Sequence, residues 1–345
     1  MKLQQQVEGL HLLGEYLKAY LDSSEKQSDE SFAPLFQVIE KSYQENSWFT
    51  VESQHHALGQ WAGLLEKDQI EAWLEPYRFN KDKKTIGLIL AGNIPLVGFH
   101  DLISVVLSGN LAKVKLSSKD RLMLPFLVEK WNEFSSGAVA CEWVEKLEGF
   151  DAVIATGSNN TARYLEYYFK QYPSIIRKNR TSIAVLSGEE SNEQIQELSK
   201  DIFTYFGLGC RNVTYLLLPK DFSLDRLFEN FLTHKEIINH NSYANNYDYN
   251  KAIYLLNQDL FWDNNFVMLK EDPKLFSPLS VVHFSRYNDQ KELESFLSEH
   301  EQDIQCVVSQ KELQVPTVCF GEAQNPQLDQ YADHVDTLKF LQELN

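Results

Sequence analysis

No two cysteines stand in CxxC spacing, and the four present (Cys141, Cys210, Cys306 and Cys319) are scattered. This excludes a zinc framework, and so few thiols in 345 residues suit a reducing cytosol better than a disulfide scaffold. No apolar run approaches roughly 18 residues, so no transmembrane helix is expected. The N-terminal stretch MKLQQQVEGLHLLGEYLKAYL is broken by Glu8, His11 and Glu15, which argues against a signal peptide. It predicts an amphipathic helix with Val7, Leu10, Leu13, Leu17 and Leu21 on one face. Basic residues are in deficit: 32 Lys and Arg against 49 Asp and Glu leave a net charge of −17. Such a surface repels nucleic acid and anionic membrane, so neither is an expected partner. An anionic ligand would need a local site that is not acidic. No internal repeat is visible.

What is present describes a folded chain. Hydrophobic residues make up 43% and charged residues 23%, and the length suits two domains. The first 80 residues predict polar helices around a loop from Asp22 to Ser31, with Trp48, Trp61 and Trp73 as packing residues. From Lys84 onward, short apolar runs alternate with helical stretches, the pattern of a parallel α/β sheet. Strands are predicted at Thr85–Ala91, Leu111–Leu116, Ala152–Ala155, Ser182–Leu186, Val213–Leu218, Leu279–Phe284, Ile304–Ser309 and Pro316–Phe320. Helices are predicted at Val97–Leu107, Leu122–Phe134 and Arg163–Gln171. A further helix opens at Ser191, which with Gln194 forms a capping box, and closes at Gly207. The Asn- and Tyr-rich stretch Asn239–Asn250 suggests a solvated surface more than a site entrance.

Three segments can carry chemistry. Gly207-Leu208-Gly209-Cys210-Arg211 joins that helix to the VTYLLL strand; its glycines allow a tight turn and close approach to the sulfur, and Arg211 can favour the thiolate. A lone cysteine is also a small buried hydrophobe, the reading that suits Cys141, Cys306 and Cys319. Gly92-Asn93-Ile94-Pro95 follows the TIGLILA strand, where the Asn93 amide can stabilise an oxyanion or simply shape a turn. Thr156-Gly157-Ser158 lies between a strand and a helix, a place for a phosphate or for an ordinary N-cap.

In order and spacing these segments resemble the aldehyde dehydrogenase superfamily, and more narrowly the acyl-CoA reductase family related to the reductase of bacterial bioluminescence. The resemblance runs from about Thr85 to Phe320. It makes Cys210 the nucleophile, with Phe206 and Gly209 in matching surroundings, and Asn93 the oxyanion donor. It places Lys115, in Ser108-Gly109-Asn110 through Val114-Lys115, on the cofactor's adenosine ribose, and Thr156, Gly157 and Ser158 at its pyrophosphate. Phe276-Ser277-Pro278 resembles the family's late FGP segment, with Lys274 where a ribose-binding Glu is usual. Ser118 stands where NAD-preferring members often carry an acid, which implies NADPH. Ile175–Arg180 lacks the Glu that activates water in aldehyde-oxidising members, and offers Arg177 and Arg180 either to an anionic ligand or to solvent.

The resemblance thus implies an aldehyde dehydrogenase-like α/β fold of two parallel-sheet domains with a cleft between them. Residues 1–180 would form the NADP(H)-binding domain with its helical N-terminal region, 181–325 the catalytic domain, and 326–345 a tail that returns to the first domain or to a partner subunit in an oligomer. The implied activity is reduction of an acyl-CoA or acyl-protein thioester to an aldehyde through a cysteine acyl-enzyme, in a cytoplasmic homo-oligomer. The rivals are an enzyme of the same fold that oxidises an aldehyde, with or without CoA, and a non-catalytic binding protein.

Overall fold

The computed structural model describes residues 2–79 and 82–344. The chain forms two compact units, Met1–Lys178 with Gln327–Asn345, and Asn179–Pro326.

The first unit opens with four helices, α1 (Lys2–Asp22), α2 (Ala33–Glu45), α3 (Val51–Leu64) and α4 (Lys67–Leu74). Helix α1 buries Leu10, Leu13 and Leu17 completely, the stripe its 3.6-residue period dictates. A parallel sheet follows: β1 (Thr85–Ile89), β2 (Leu111–Lys115), β3 (Cys141–Trp143), β4 (Ala152–Thr156) and β5 (Ser174–Arg177), in the order β3-β2-β1-β4-β5. Helices α5 (Phe99–Leu107), α6 (Met123–Phe134) and α7 (Asn159–Phe169) connect the strands. The central strands are short and apolar because both faces are covered; Ile86, Leu88, Ala152 and Val153 are fully buried. Strand order reverses between β1 and β4, the switch point at which open α/β sheets bind ligands beyond their carboxyl ends. Helix α7 begins at Asn159, four residues before the predicted start, because Ser158 caps it.

The second unit has seven strands, β6 (Thr181–Val185), β7 (Val213–Pro219), β8 (Trp262–Asp263), β9 (Met268–Glu271), β10 (Val281–Tyr287), β11 (Ile304–Ser309) and β12 (Thr317–Val318). Their order is β12-β11-β6-β7-β10-β9-β8, parallel throughout except for the β8–β9 pair. Alternate residues of β6 and β7 feed opposite faces: Ala184, Leu216 and Leu218 meet α8 (Asn192–Phe203) and α9 (Asp225–Phe231). Ile183, Val185, Tyr215 and Leu217 meet α11 (Gln290–Glu299), which follows α10 (Asn241–Asn257) in the chain. Helix α8 starts from the expected capping box, with Ser191 and Gln194 satisfying each other's backbone N–H.

The C-terminal segment belongs to the first unit and ends in α12 (Thr337–Glu343). It is held by polar contacts that no local pattern announces. The Tyr331 hydroxyl accepts from Trp73 Nε1 at 2.9 Å, and Tyr77 donates to Asp336 at 2.8 Å. Trp61 packs edge-on against Phe99. Helix α10 corrects the expectation of a solvated surface for Asn239–Asn250: Tyr243, Tyr247, Asn250 and Tyr254 form its buried face. Two of these polar groups find partners nearby: Tyr247 donates to Asp263 and Asn250 to the Leu279 carbonyl.

Candidate active site

In the first unit the expected oxyanion donor and the expected cofactor residues gather along one edge of the sheet. Asn93 follows β1, Lys115 ends β2, and Thr156 ends β4 with Gly157 and Ser158 directly after it. Ile89 is in register with both Lys115 and Ala155, so the three exits are neighbours at the switch point. Lys115, Ser118 and Ser158 are exposed, while Asn93, Thr156 and Gly157 are half-buried. Ser158 accepts the Thr161 N–H at 3.3 Å, and the first turn of α7 contains no acidic residue. The N-terminus of α7 therefore presents positive potential with no acidic residue in its first turn to offset it.

The turn after β1 is locked to the loop after β2. A Cβ on Gly92 would fall 2.6 Å from Ser117 Oγ, so only glycine permits this approach. Leu96 adopts φ 60°, a left-handed backbone costing about 1–2 kcal/mol in a non-glycine residue. Its N–H donates to Asp120 Oδ2 at 3.2 Å. Burial pushes the Asp120 carboxyl up to about 6, with the Leu96 N–H pulling the other way.

Arg177 serves neither an anionic ligand nor solvent. It is buried at the end of β5, with Nη2 2.7 Å from Asp101 Oδ1 and 2.9 Å from Thr337 Oγ1, and Nη1 2.6 Å from the Ala332 carbonyl. A guanidinium out of water needs all these partners, and it fastens the C-terminal segment to the sheet. Arg180 donates to the Ile304 carbonyl at 3.1 Å.

Cys210 lies in the second unit, half-buried at the entry to β7. The preceding helix does not run to Gly207. Helix α8 stops at Phe203, Thr204 is extended, and Tyr205 (φ 54°), Phe206 (φ 59°) and Gly207 (φ 81°) are successively left-handed. Two non-glycine residues in that region store about 1–3 kcal/mol each, and such strain clusters at functional sites. The Phe206 ring packs 4.4 Å from the His240 ring at the start of α10. Ser182 Oγ donates to the Cys210 carbonyl at 3.1 Å and lies 3.0 Å from Cys306 Sγ. Arg211 reaches the Ala323 carbonyl at 3.4 Å. The Cys306 thiol is pushed up by burial, against the nearby Arg211 charge. Cys141 is pushed up to about 12 by burial, with Glu142 adding to it. In the late segment, Lys274 and Phe276 are exposed and Ser277 donates to the Val281 carbonyl at 2.6 Å.

Three buried polar residues beside these segments were not anticipated. Asp120 gave no sequence signal. Asp201 did: it falls three residues after Leu198 on the apolar stripe of α8, a carboxylate where a hydrophobe is expected. It accepts from the Gly321 and Ala323 N–H groups at 2.7 and 2.9 Å, and burial pushes it up to about 7 against those donors. Asn212 is fully buried between Cys210 and β7.

Residues 55–225 match the family model described as Acyl-CoA reductase (LuxC). No curated protein matches the chain. Among solved structures, aldehyde dehydrogenase 21 from Physcomitrella patens, in complex with the reaction product succinate, is 12% identical with TM-score 0.65, over 98% of this chain and 84% of that one. A benzaldehyde dehydrogenase from Corynebacterium glutamicum, described as NAD-dependent, is 10% identical with TM-score 0.65, over 95% and 82%. A Mycobacterium tuberculosis aldehyde dehydrogenase complexed with NAD+ is 13% identical with TM-score 0.59, over 89% and 77%. At such identities these likenesses establish the fold. Residues 55–225 are thus similar to the acyl-CoA reductase (LuxC) family, and the chain has the two-sheet α/β fold of aldehyde dehydrogenases.

Proposed function

We propose that this chain is an NADPH-dependent acyl-CoA reductase, converting acyl-CoA, NADPH and a proton into an aldehyde, NADP+ and free CoA. One observation carries the reading: the family match over residues 55–225 contains Asn93, Lys115, Thr156–Ser158 and Cys210 together. Cys210, as thiolate, attacks the acyl carbonyl; a new C–S bond forms and CoA thiolate leaves with its electron pair, to be protonated by solvent. The Asn93 amide and the Cys210 backbone N–H stabilise the oxyanion. Ile175–Arg180 offers no carboxylate to activate water, and its Arg177 is committed to Asp101. The acyl-enzyme is therefore spared hydrolysis.

The chain's residues fit a dinucleotide. A Cβ on Gly157 would fall 2.9 Å from Thr161 Cγ2, so glycine keeps the backbone open beside the α7 N-terminus. Thr156, Gly157 and Ser158 would hold the pyrophosphate and Lys115 the adenosine ribose. When bound, the cofactor supplies the hydride that releases the acyl unit as aldehyde. Ser118 leaves room for a 2′-phosphate without repulsion. Ser118→Glu should raise KM for NADPH about tenfold while leaving kcat in place, since one like charge at an exposed site costs about 1–2 kcal/mol. Initial rates with NADPH and NADH measure it; an unchanged preference would remove Ser118 from the cofactor site.

The activity is tested with purified protein and acyl-CoAs of several chain lengths, following NADPH, free CoA and aldehyde. Equimolar loss of NADPH and release of CoA and aldehyde is expected. Turnover only from aldehyde and NADP+ would make the chain an aldehyde-oxidising enzyme instead. No turnover in either direction, with Cys210 alkylated no faster than the other three cysteines, would favour a binding protein.

A further inference from the structure

The strained segment before Cys210 is spanned by one side chain. Asn212 Nδ2 donates to the Thr204 carbonyl at 2.7 Å, immediately before the left-handed residues Tyr205, Phe206 and Gly207. Asn212 Oδ1 accepts the Gly209 N–H at 2.8 Å, just beyond them. The same amide group lies 3.1 and 3.2 Å from the Asp201 and Ile202 carbonyls at the end of α8, and the Asn212 N–H donates to the Gly209 carbonyl at 3.1 Å. The side chain is shut off from solvent. Without these bonds the last carbonyls of α8 would lose a buried donor, and the left-handed backbone would lose what holds it.

We propose that Asn212 is the positioning residue of the nucleophile: it clamps the turn at both ends and so fixes the Gly209–Cys210 peptide. The proposal rests on the reading of Cys210 as nucleophile. An amide is the side chain this place requires, because it both donates to carbonyls and accepts an N–H; a carboxylate would set acceptors against three carbonyls.

The test compares Asn212→Ala, Asn212→Ser and Asn212→Asp with the wild type in the full chain. Thermal unfolding and Cys319 alkylation serve as controls for folding. A clamp predicts that Asn212→Ala lowers kcat roughly 10–10²-fold with KM for acyl-CoA within about twofold, as misplacement of a reacting group does. It also predicts that iodoacetamide alkylation of Cys210, resolved by peptide mass, changes severalfold while Cys319 does not. Asn212→Asp should recover relative to the wild type as pH falls, because a protonated carboxyl regains a donor to one carbonyl. If the alanine variant does not fold, Asn212→Ser, with one donor, takes its place. Hydrogen exchange of the wild-type 204–212 segment needs no variant: slow exchange at Gly209 supports the clamp, and exchange at the rate of an open loop overturns it. Folded Ala and Ser variants with kcat and Cys210 alkylation within about twofold of wild type would overturn it as well. Should the wild type reduce no acyl-CoA, the proposed function fails alone, and Cys210 alkylation still decides the role of Asn212.

Discussion

Cys210→Ala should abolish NADPH oxidation with acyl-CoA, by roughly 10⁴–10⁶-fold, the loss seen when a covalent nucleophile is removed from a site that otherwise stays intact. Two of the other thiols are disfavoured as nucleophiles by burial. Cys141 is pushed up to about 12 by burial, so it stays protonated at neutral pH. Burial also raises Cys306, which contacts Ser182. The acylation step can be isolated by omitting the cofactor. The wild type should then release one CoA per chain in a burst and retain a mass adduct on the Cys210 peptide, whereas the variant should release none. A variant that keeps more than about a tenth of the activity, or a wild-type adduct on Cys306 or Cys319, would remove Cys210 from the mechanism. Because α8 and β7 frame the turn with backbone bonds, a truncation at Cβ should leave the fold in place, and thermal unfolding checks this.

How much of this was legible in the sequence depended on how local its cause was. Strands β1, β4, β6 and β7 announce themselves because burial on both faces forces continuous apolar runs. The capping box at Ser191 and the glycine-bearing strand exits are equally local, and they place Asn93, Lys115 and Thr156–Ser158 on one sheet edge. Strands β3 and β8 escape a reading by pattern because three or two residues carry no period, and β5 and β9 because their four residues mix buried with exposed positions. Arg177 could not be assigned because Asp101 and Thr337 stand 76 and 160 residues away. The end of α8 was misplaced for a related reason. Tyr205 and Phe206 continue its apolar spacing, but a buried amide eight to eleven residues after Thr204, Ile202 and Asp201 takes the carbonyls at the helix end and turns the chain early. Asn212 has no signature of its own; an Asn before a strand looks like any turn residue.

Asn93→Ala should lower kcat by about 10²–10³-fold with little change in KM, since an oxyanion donor acts where charge develops and not on the ground-state carbonyl. The turn that carries the amide should survive the change. Gly92 is packed against Ser117, and the Leu96 N–H is held by Asp120, so the backbone is fixed by groups other than the Asn93 amide. Both halves of the proposed reaction build an oxyanion on the same carbonyl carbon, once as thiolate attacks and once as hydride arrives. The CoA burst and single-turnover aldehyde formation should therefore slow by similar factors. Asn93→Asp should be slower still at neutral pH, because a carboxylate repels the charge that the amide stabilises. Rapid-quench measurement of the two half-reactions separates this from a role in binding: a variant whose loss lies wholly in KM, or in one half-reaction alone, would assign Asn93 to the shape of the turn and leave the oxyanion to backbone donors.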